Sequence, residues 1–182
     1  MKQPVIIFDN YMLRDIELID SNDMYEYGSD KEVIQFLSWG PYHHVSEAAS
    51  SIRGYFLKRP MYQLPVGYAI IDLTNDKMIG TVDFHTIVSE GVVEAGYCLN
   101  RKYWNKGIMT KALNKLIEVG FYFHNYHKII IGHANDNYGS KRVIEKNGFI
   151  FDYEKNYYNR FTGKHEPSSW YYLTKEDFKN DK

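Results

Sequence analysis

Between residues 92 and 122 the hydrophobic period of the chain changes, and few folds accommodate such a change. VVEAGYCL, residues 92–99, reads as a strand following Gly91. From Met109 onward, Ala112, Leu113, Leu116, Ile117 and Phe121 recur on one helical face, and Lys111, Asn114, Lys115 and Glu118 fall on the other. A strand therefore passes through a short loop into a helix that opens near Gly107. A second unit of the same kind follows. Residues 128–131 form a short β-branched strand, and residues 138–147 an amphipathic helix with Val143 and Ile144 inward. Gly148 stands where a helix C-terminus favours a residue tolerant of positive φ. Two consecutive strand-loop-helix units bring two helix entrances to the same edge of a sheet, and a long ligand can lie between them.

The other elements fill in the sheet. A strand is expected over 11–17, and short helices broken near Gly28 over 21–36. A longer helix starts from Ser46 as N-cap, continues through Phe56 and is stopped by Pro60. Strands over 66–73 and 78–85 make an antiparallel hairpin around Asn75 and Asp76. Two more strands, over 149–158 and 168–174, are joined across Thr162 and Gly163. No repeat, low-complexity tract or Pro/Gly/Ser linker divides the chain, so residues 1–182 are read as one domain. The element order predicts an α+β fold: a central, partly antiparallel sheet flanked by helices.

Charge limits how such a protein can hold an anion. Twenty-two basic residues against 23 acidic ones leave a net charge of -1, so no global positive field draws the chain to nucleic acid or to an anionic membrane. An anionic ligand must be held locally. The single cysteine, Cys98, excludes an internal disulfide and a multi-thiolate zinc site. No apolar run follows Met1 and none is long enough to span a bilayer, which predicts a cytoplasmic protein without a metal. Seventeen tyrosines and 10 phenylalanines supply large buried areas and can also line a groove.

The helix entrance near Gly107 supplies a local anion site. The first N–H groups of a helix lack internal acceptors and carry the positive end of its dipole, so they can bind phosphate without a basic surface. Glycine lets the backbone approach closely, with Lys106, Ile108, Met109 and Thr110 presenting their amides around it. Neither G-x-G-x-x-G nor G-x-x-x-x-G-K-[ST] is present, which leaves a purely structural turn as the alternative on spacing alone.

Two motifs in order carry a resemblance. EAGYCLNRKYWNKGIMTKAL, from Glu94, and NDNYGSKRVIEKNGF, from Asn135 to Phe149, resemble the acyl-CoA-binding core of the GCN5-related N-acetyltransferase (GNAT) family. Within it they resemble the RimJ/RimL-like branch of ribosomal-protein N-terminal acetyltransferases. That branch reads E-x-G-Y-x-L, then Y-W-G-K-G-x-A-T-x-A-L, then N-x-x-S-x-R-V-x-E-K-x-G-F. MLRDIELID and VIQFLSWGP fit it as well, so the likeness extends over most of the chain.

The resemblance implies acetyl-CoA as donor and a mostly antiparallel sheet splayed at its middle, where the donor inserts. Carried over by position, Leu99 and Asn100 would contact the pantetheine arm. Trp104 and Asn105 would lead into the loop, and Lys106, Gly107, Ile108, Met109 and Thr110 would hold the pyrophosphate. Asn137 would meet the coenzyme from the second motif. Met109 departs from the usual Gly or Ala, which implies that main-chain amides receive the pyrophosphate while the side chain turns into the core.

Amine acetylation needs an unprotonated nucleophile, a polarised thioester carbonyl and a proton for the leaving thiolate. Glu94 is the first choice of base, with Asp83 and His85 as alternatives, and a backbone N–H near Cys98 and Leu99 can polarise the carbonyl. A tyrosine used as acid in many relatives is replaced here by Ile144; the branch offers Ser140, which can equally be a helix cap or a coenzyme contact, and Tyr138 is a further possibility. Cys98 reads as a small buried hydrophobe, not a nucleophile. Trp39, Tyr42, His43 and His44 occupy a loop that borders the acceptor groove in the family. The expected reaction is direct transfer from acetyl-CoA to a protein N-terminus or a small amine, by a monomer or homodimer. The alternatives are a non-catalytic acyl-CoA-binding module and a nucleic-acid-directed enzyme, the latter opposed by the balanced charge.

Overall fold

The computed structural model describes residues 2–180. Eight strands form one sheet: β1 (Ile6–Phe8), β2 (Tyr11–Asp15), β3 (Tyr68–Asp72), β4 (Lys77–Ser89), β5 (Val92–Leu99), β6 (Lys128–Ala134), β7 (Ile150–Asn159) and β8 (Lys164–Thr174). Their order is β1-β2-β3-β4-β5-β6-β8-β7. Every neighbouring pair is antiparallel except β5 and β6. These two pair only at Val92 with Lys128, Val93 with Ile129 and Glu94 with Ile130. Beyond that point they part, and residues 95–99 and 131–134 no longer share a ladder. The expected mixed, mostly antiparallel, splayed sheet is what the chain forms.

The splay follows from the connection. The parallel strands are joined by α4 (Ile108–Tyr122), a crossover helix of the kind a parallel pair requires. Its predicted inner face is buried: Ala112, Leu113, Ile117 and Phe121 are fully enclosed, and Leu116 almost so. With Ile144 of α5 (Tyr138–Lys146) they pack against Ile70, Val82, Phe84, Val93 and Ile129 on one face of the sheet. The other face is covered by α1 (Ser21–Gly28), α2 (Lys31–Ile34) and α3 (Val45–Ser51), whose Met24, Ile34 and Ala48 meet Ala69, Ile71, Met78 and Cys98. A short α6 (Lys175–Asn180) follows β8. Among the described residues no helix is long and apolar enough to cross a membrane.

Three expectations are corrected. Strand β1 lies ahead of the first predicted strand, paired with β2 through a tight turn at Asp9 and Asn10. The helix N-cap expected at Ser46 lies two residues earlier, at His44, with the Glu47 carboxylate accepting from the His43 N–H at 2.8 Å. That helix does not run on regularly to Pro60. After Ser51 it loosens into a π turn over Ile52–Phe56, and Pro60 sits in the following 3₁₀ turn, Arg59–Tyr62. Burial of Ile52 and Phe56 in the core outweighs helical regularity there.

Candidate functional site

At the end of β5, the Asn100 N–H donates to the Ile79 carbonyl at 2.7 Å, and the Asn100 side chain caps a 3₁₀ turn by accepting from the Lys102 N–H. The Trp104 indole N–H donates back to the Leu99 carbonyl at 2.8 Å, which folds the loop onto the strand. Asn105 and Gly107 both take left-handed backbone angles, φ 60° and 75°. Gly107 is the N-cap of α4, and no side chain caps the helix there. Its opening N–H groups are therefore left without an internal acceptor. A Cβ on Gly107 would meet nothing within 4 Å, so the loop is open on that side.

The entrance of α5 is organised differently. Asn137 Oδ1 accepts from the Ser140 N–H at 3.0 Å, a regular N-cap. The Ser140 hydroxyl lies 2.7 Å from the Tyr97 hydroxyl, which also donates to the Ser140 carbonyl at 3.1 Å. Tyr97 belongs to β5, so this contact bridges the two parted units. Burial pushes the Tyr97 phenol well above its ordinary range, opposed by the Ser140 contact, and the group stays protonated.

Two cavities meet at this bridge. One, of about 550 Å³, lies between the two helix entrances. Of the expected coenzyme residues, Leu99, Trp104, Asn105, Gly107, Ile108, Met109, Thr110, Asn137 and Ser140 line it. Asn100 and Lys106 do not. Asn100 is buried with its amide donating to Glu26, and the Lys106 ammonium lies 5.1 Å from the centre of the Tyr103 ring. The Met109 side chain is packed into the core. Tyr138 lines the same cavity and is largely exposed.

The second cavity, of about 420 Å³, opens on the α1–α3 side. Tyr97, Cys98, Asn137 and Ser140 line both. Glu94, Asp83 and His85, three alternatives in the sequence, share its wall. Glu94 Oε1 is 3.6 Å from His85 Nε2, and His85 Nδ1 is 2.9 Å from the Thr86 hydroxyl. The Cδ2–Nε2 edge of the His85 ring lies against Gly96, where a Cβ would come within 2.9 Å of it. Asp83 is buried beside Arg59, with Oδ2 at 3.4 Å from Nη1. Cys98 is buried too. Desolvation, and then the Asp83 charge, push its thiol far up, so it is a thiol and not a thiolate.

Of the loop residues expected at an acceptor groove, Trp39 lines the second cavity and stacks on buried Tyr42 at 5.3 Å between ring centres. His43 and His44 line neither cavity. The Arg160 guanidinium, from the tip of the β7–β8 hairpin, donates to the Ser38 carbonyl at 2.9 Å beside the same cavity. Arg59, Trp170 and this hairpin tip escaped the sequence reading. Arg59 was hidden beside a helix-stopping proline, and hairpin tips carry no motif.

Comparison with known proteins agrees with this fold. A family model described as acetyltransferase (GNAT) domain matches residues 10–150. The uncharacterized N-acetyltransferase p20 of Bacillus licheniformis is 33% identical over 149 residues, covering 79% of this chain and 83% of that protein. The ribosomal-protein-S5-alanine acetyltransferase of Vibrio fischeri superposes with a TM-score of 0.83 at 22% identity, over 97% of this chain and 99% of that one. RimL, a ribosomal L7/L12 alpha-N-protein acetyltransferase solved in complex with coenzyme A, gives 0.81 at 18% identity, over 94% and 98%.

Proposed function

The chain belongs to the GNAT acetyltransferase family, and we propose that it moves the acetyl group of acetyl-CoA directly onto a primary amine within a ternary complex. The observation that carries this reading is the meeting of two cavities at Tyr97 and Ser140, one walled by uncapped helix amides and the other by carboxylates. The first suits a pyrophosphate, since the amides at 107–110 are free and the space above Gly107 is open. Trp104 and Asn105 shape the loop that leads there, and Lys106, outside the cavity wall, links them to Gly107. Leu99 guides the pantetheine arm from the wall of that cavity, and Asn100, which lies outside it with its side chain committed to Glu26, fixes the end of β5. Asn137 fixes the second helix entrance beside it.

The amine enters from the second cavity. Glu94 takes its proton, directly or through water, with His85 beside it to relay charge. The nitrogen attacks the thioester carbonyl, a main-chain N–H on the unpaired side of β5 stabilises the oxygen that becomes negative, and the C–S bond then breaks. Ser140 gives its proton to the leaving thiolate and regains one from solvent as the products leave, while the Tyr97 hydroxyl, which stays protonated, holds it in place. Holding both reactants at the splay can supply roughly 7 kcal/mol or more, so this modest acid–base help suffices. The acceptor is a protein N-terminus or a small amine.

The test is incubation of the pure protein with acetyl-CoA and a panel of amines and peptides, following release of free thiol and the mass of the acceptor. Amine-dependent release with matching acetylated product is expected. Tight coenzyme binding without turnover on any amine would identify instead a non-catalytic acyl-CoA-binding module.

A further inference from the structure

The second cavity holds a charged side chain whose hydrogen-bonding capacity is unspent. Arg59 is 3% exposed, and none of its Nε, Nη1 and Nη2 atoms has an acceptor among the described residues. Asp83 compensates its charge at 3.4 Å without hydrogen-bond geometry. The rings of Tyr55 and Phe56 lie 4.3 Å and 4.6 Å from the guanidinium carbon. The two ring planes stand 80° apart, so the guanidinium lies flat on at most one of them, and its five N–H donors radiate in its own plane. The rings hold the group in place without giving those donors an oxygen or nitrogen acceptor. A buried donor without a partner costs stability, and this side chain carries several of them in the wall of a cavity.

We infer that Arg59 receives a carboxylate, and that the acceptor is an amine bearing a carboxylate close to its nitrogen; this deepens the acetyl-transfer reading and rests on it. A planar fork of N–H donors is the complement of a carboxylate. The neighbouring charges narrow the choice further. Asp83 and Glu94 share the cavity, so a doubly charged phosphate would meet two carboxylates. A zwitterion meets less opposition: its carboxylate carries a single charge towards Arg59, and its ammonium faces Glu94 and Asp83. The positive and negative poles of the Arg59–Asp83 pair lie side by side, as the two charges of an α-amino acid do. A peptide N-terminus followed by an acidic side chain presents the same pair of groups.

Matched probes test this. One arm compares free amino acids with their amides, and the other compares C-terminally amidated peptides carrying Glu or Gln as second residue. Each probe is measured twice, as a substrate with acetyl-CoA and by calorimetric binding to protein saturated with coenzyme A. The carboxylate member of at least one pair is expected to bind and react roughly tenfold better or more, since hydrogen bonds to charged groups are the strong ones. Preference in the first arm identifies a small amino acid as acceptor, and preference in the second a protein N-terminus. Arg59→Gln should erase the preference while the affinity for coenzyme A stays as it was. If that variant does not fold, Arg59→Lys, which keeps the charge and loses the fork, should reduce the preference. Equal binding of acid and amide in both arms, or a preference that survives Arg59→Gln, would overturn the assignment. Carboxylate preference in binding without any turnover would support the Arg59 site and count against acetyl transfer, and turnover without preference would do the reverse.

Discussion

Replacing Gly107 by glutamate separates the role of the loop in the fold from its role in holding the coenzyme. Gly107 has φ 75° and ψ 0°, and an added Cβ would touch nothing within 4 Å. The folded protein therefore resists substitution only through the left-handed backbone, at about 1 kcal/mol for an ordinary side chain and less for asparagine. In a chain of 182 residues that lowers the melting temperature by about 2–4 °C. The open space is also where a phosphate would rest on the amides. A carboxylate about 4 Å from a phosphate charge costs about 1 kcal/mol in bulk water and about 4 kcal/mol at a partly shielded surface. An intermediate value corresponds to a loss of coenzyme affinity of roughly 50-fold at low salt. Gly107→Asn is the neutral control, with similar backbone demands and no charge. Calorimetric titration of coenzyme A into the wild type and both variants, at two salt concentrations, gives the comparison. The Glu variant should bind far more weakly than the Asn variant, and salt should narrow the gap. Equal affinities in the two variants would refute the loop as the pyrophosphate site.

Other perturbations address the chemistry and the framework. Glu94→Gln should lower turnover by about 100-fold, within the usual range for a general base, with coenzyme affinity unchanged in the same titration. Tyr97→Phe should reduce turnover less than Ser140→Ala, and the double variant should fall short of the product of the two, because the hydroxyls touch at 2.7 Å; steady-state kinetics on the four proteins measures this. Glu26 governs the acid limb of stability. Its hydrogen bond from Lys77, followed by those from Lys102 and Asn100, brings the carboxyl down to about 2. A depressed folded value means stability that is complete above the unfolded value of about 4.3 and lost as pH falls towards 2. Solvent screening at this site, where the Glu26 side chain is 35% exposed, limits the contribution to about 1 kcal/mol. Denaturant titrations at pH 7 and pH 3 should show a smaller difference for Glu26→Gln than for the wild type.

The parts of this fold that were legible in the sequence are those where periodicity and motif coincide. The strand 92–99, the inward face of α4 and the left-handed Gly148 follow directly from pattern. So does the approach of the two helix entrances, since consecutive strand-loop-helix units leave little topological choice. Strand β1 escaped because three residues carry no period, although the Asp9–Asn10 turn marked it. The π turn after α3 escaped because tertiary burial of Ile52 and Phe56 decides it. At the site, Glu94, Asp83 and His85 were recognisable as chemical types, but their convergence on one wall depends on the antiparallel pairing of β4 with β5. Arg59 had no local signal at all. Its distance from Asp83 is fixed by how the chain returns to the sheet after Pro60.

The parting of β5 from β6 also has a mechanical meaning. The sheet is continuous from β1 to β5 and again from β6 to β7, and these two blocks are joined by three register pairs, the Tyr97–Ser140 clasp and the core packed across both. A force that pulls the blocks apart across the sheet loads this short ladder and the clasp together. A ligand wedged into the gap becomes a structural member, one that lends the two halves the cohesion their own backbones do not supply.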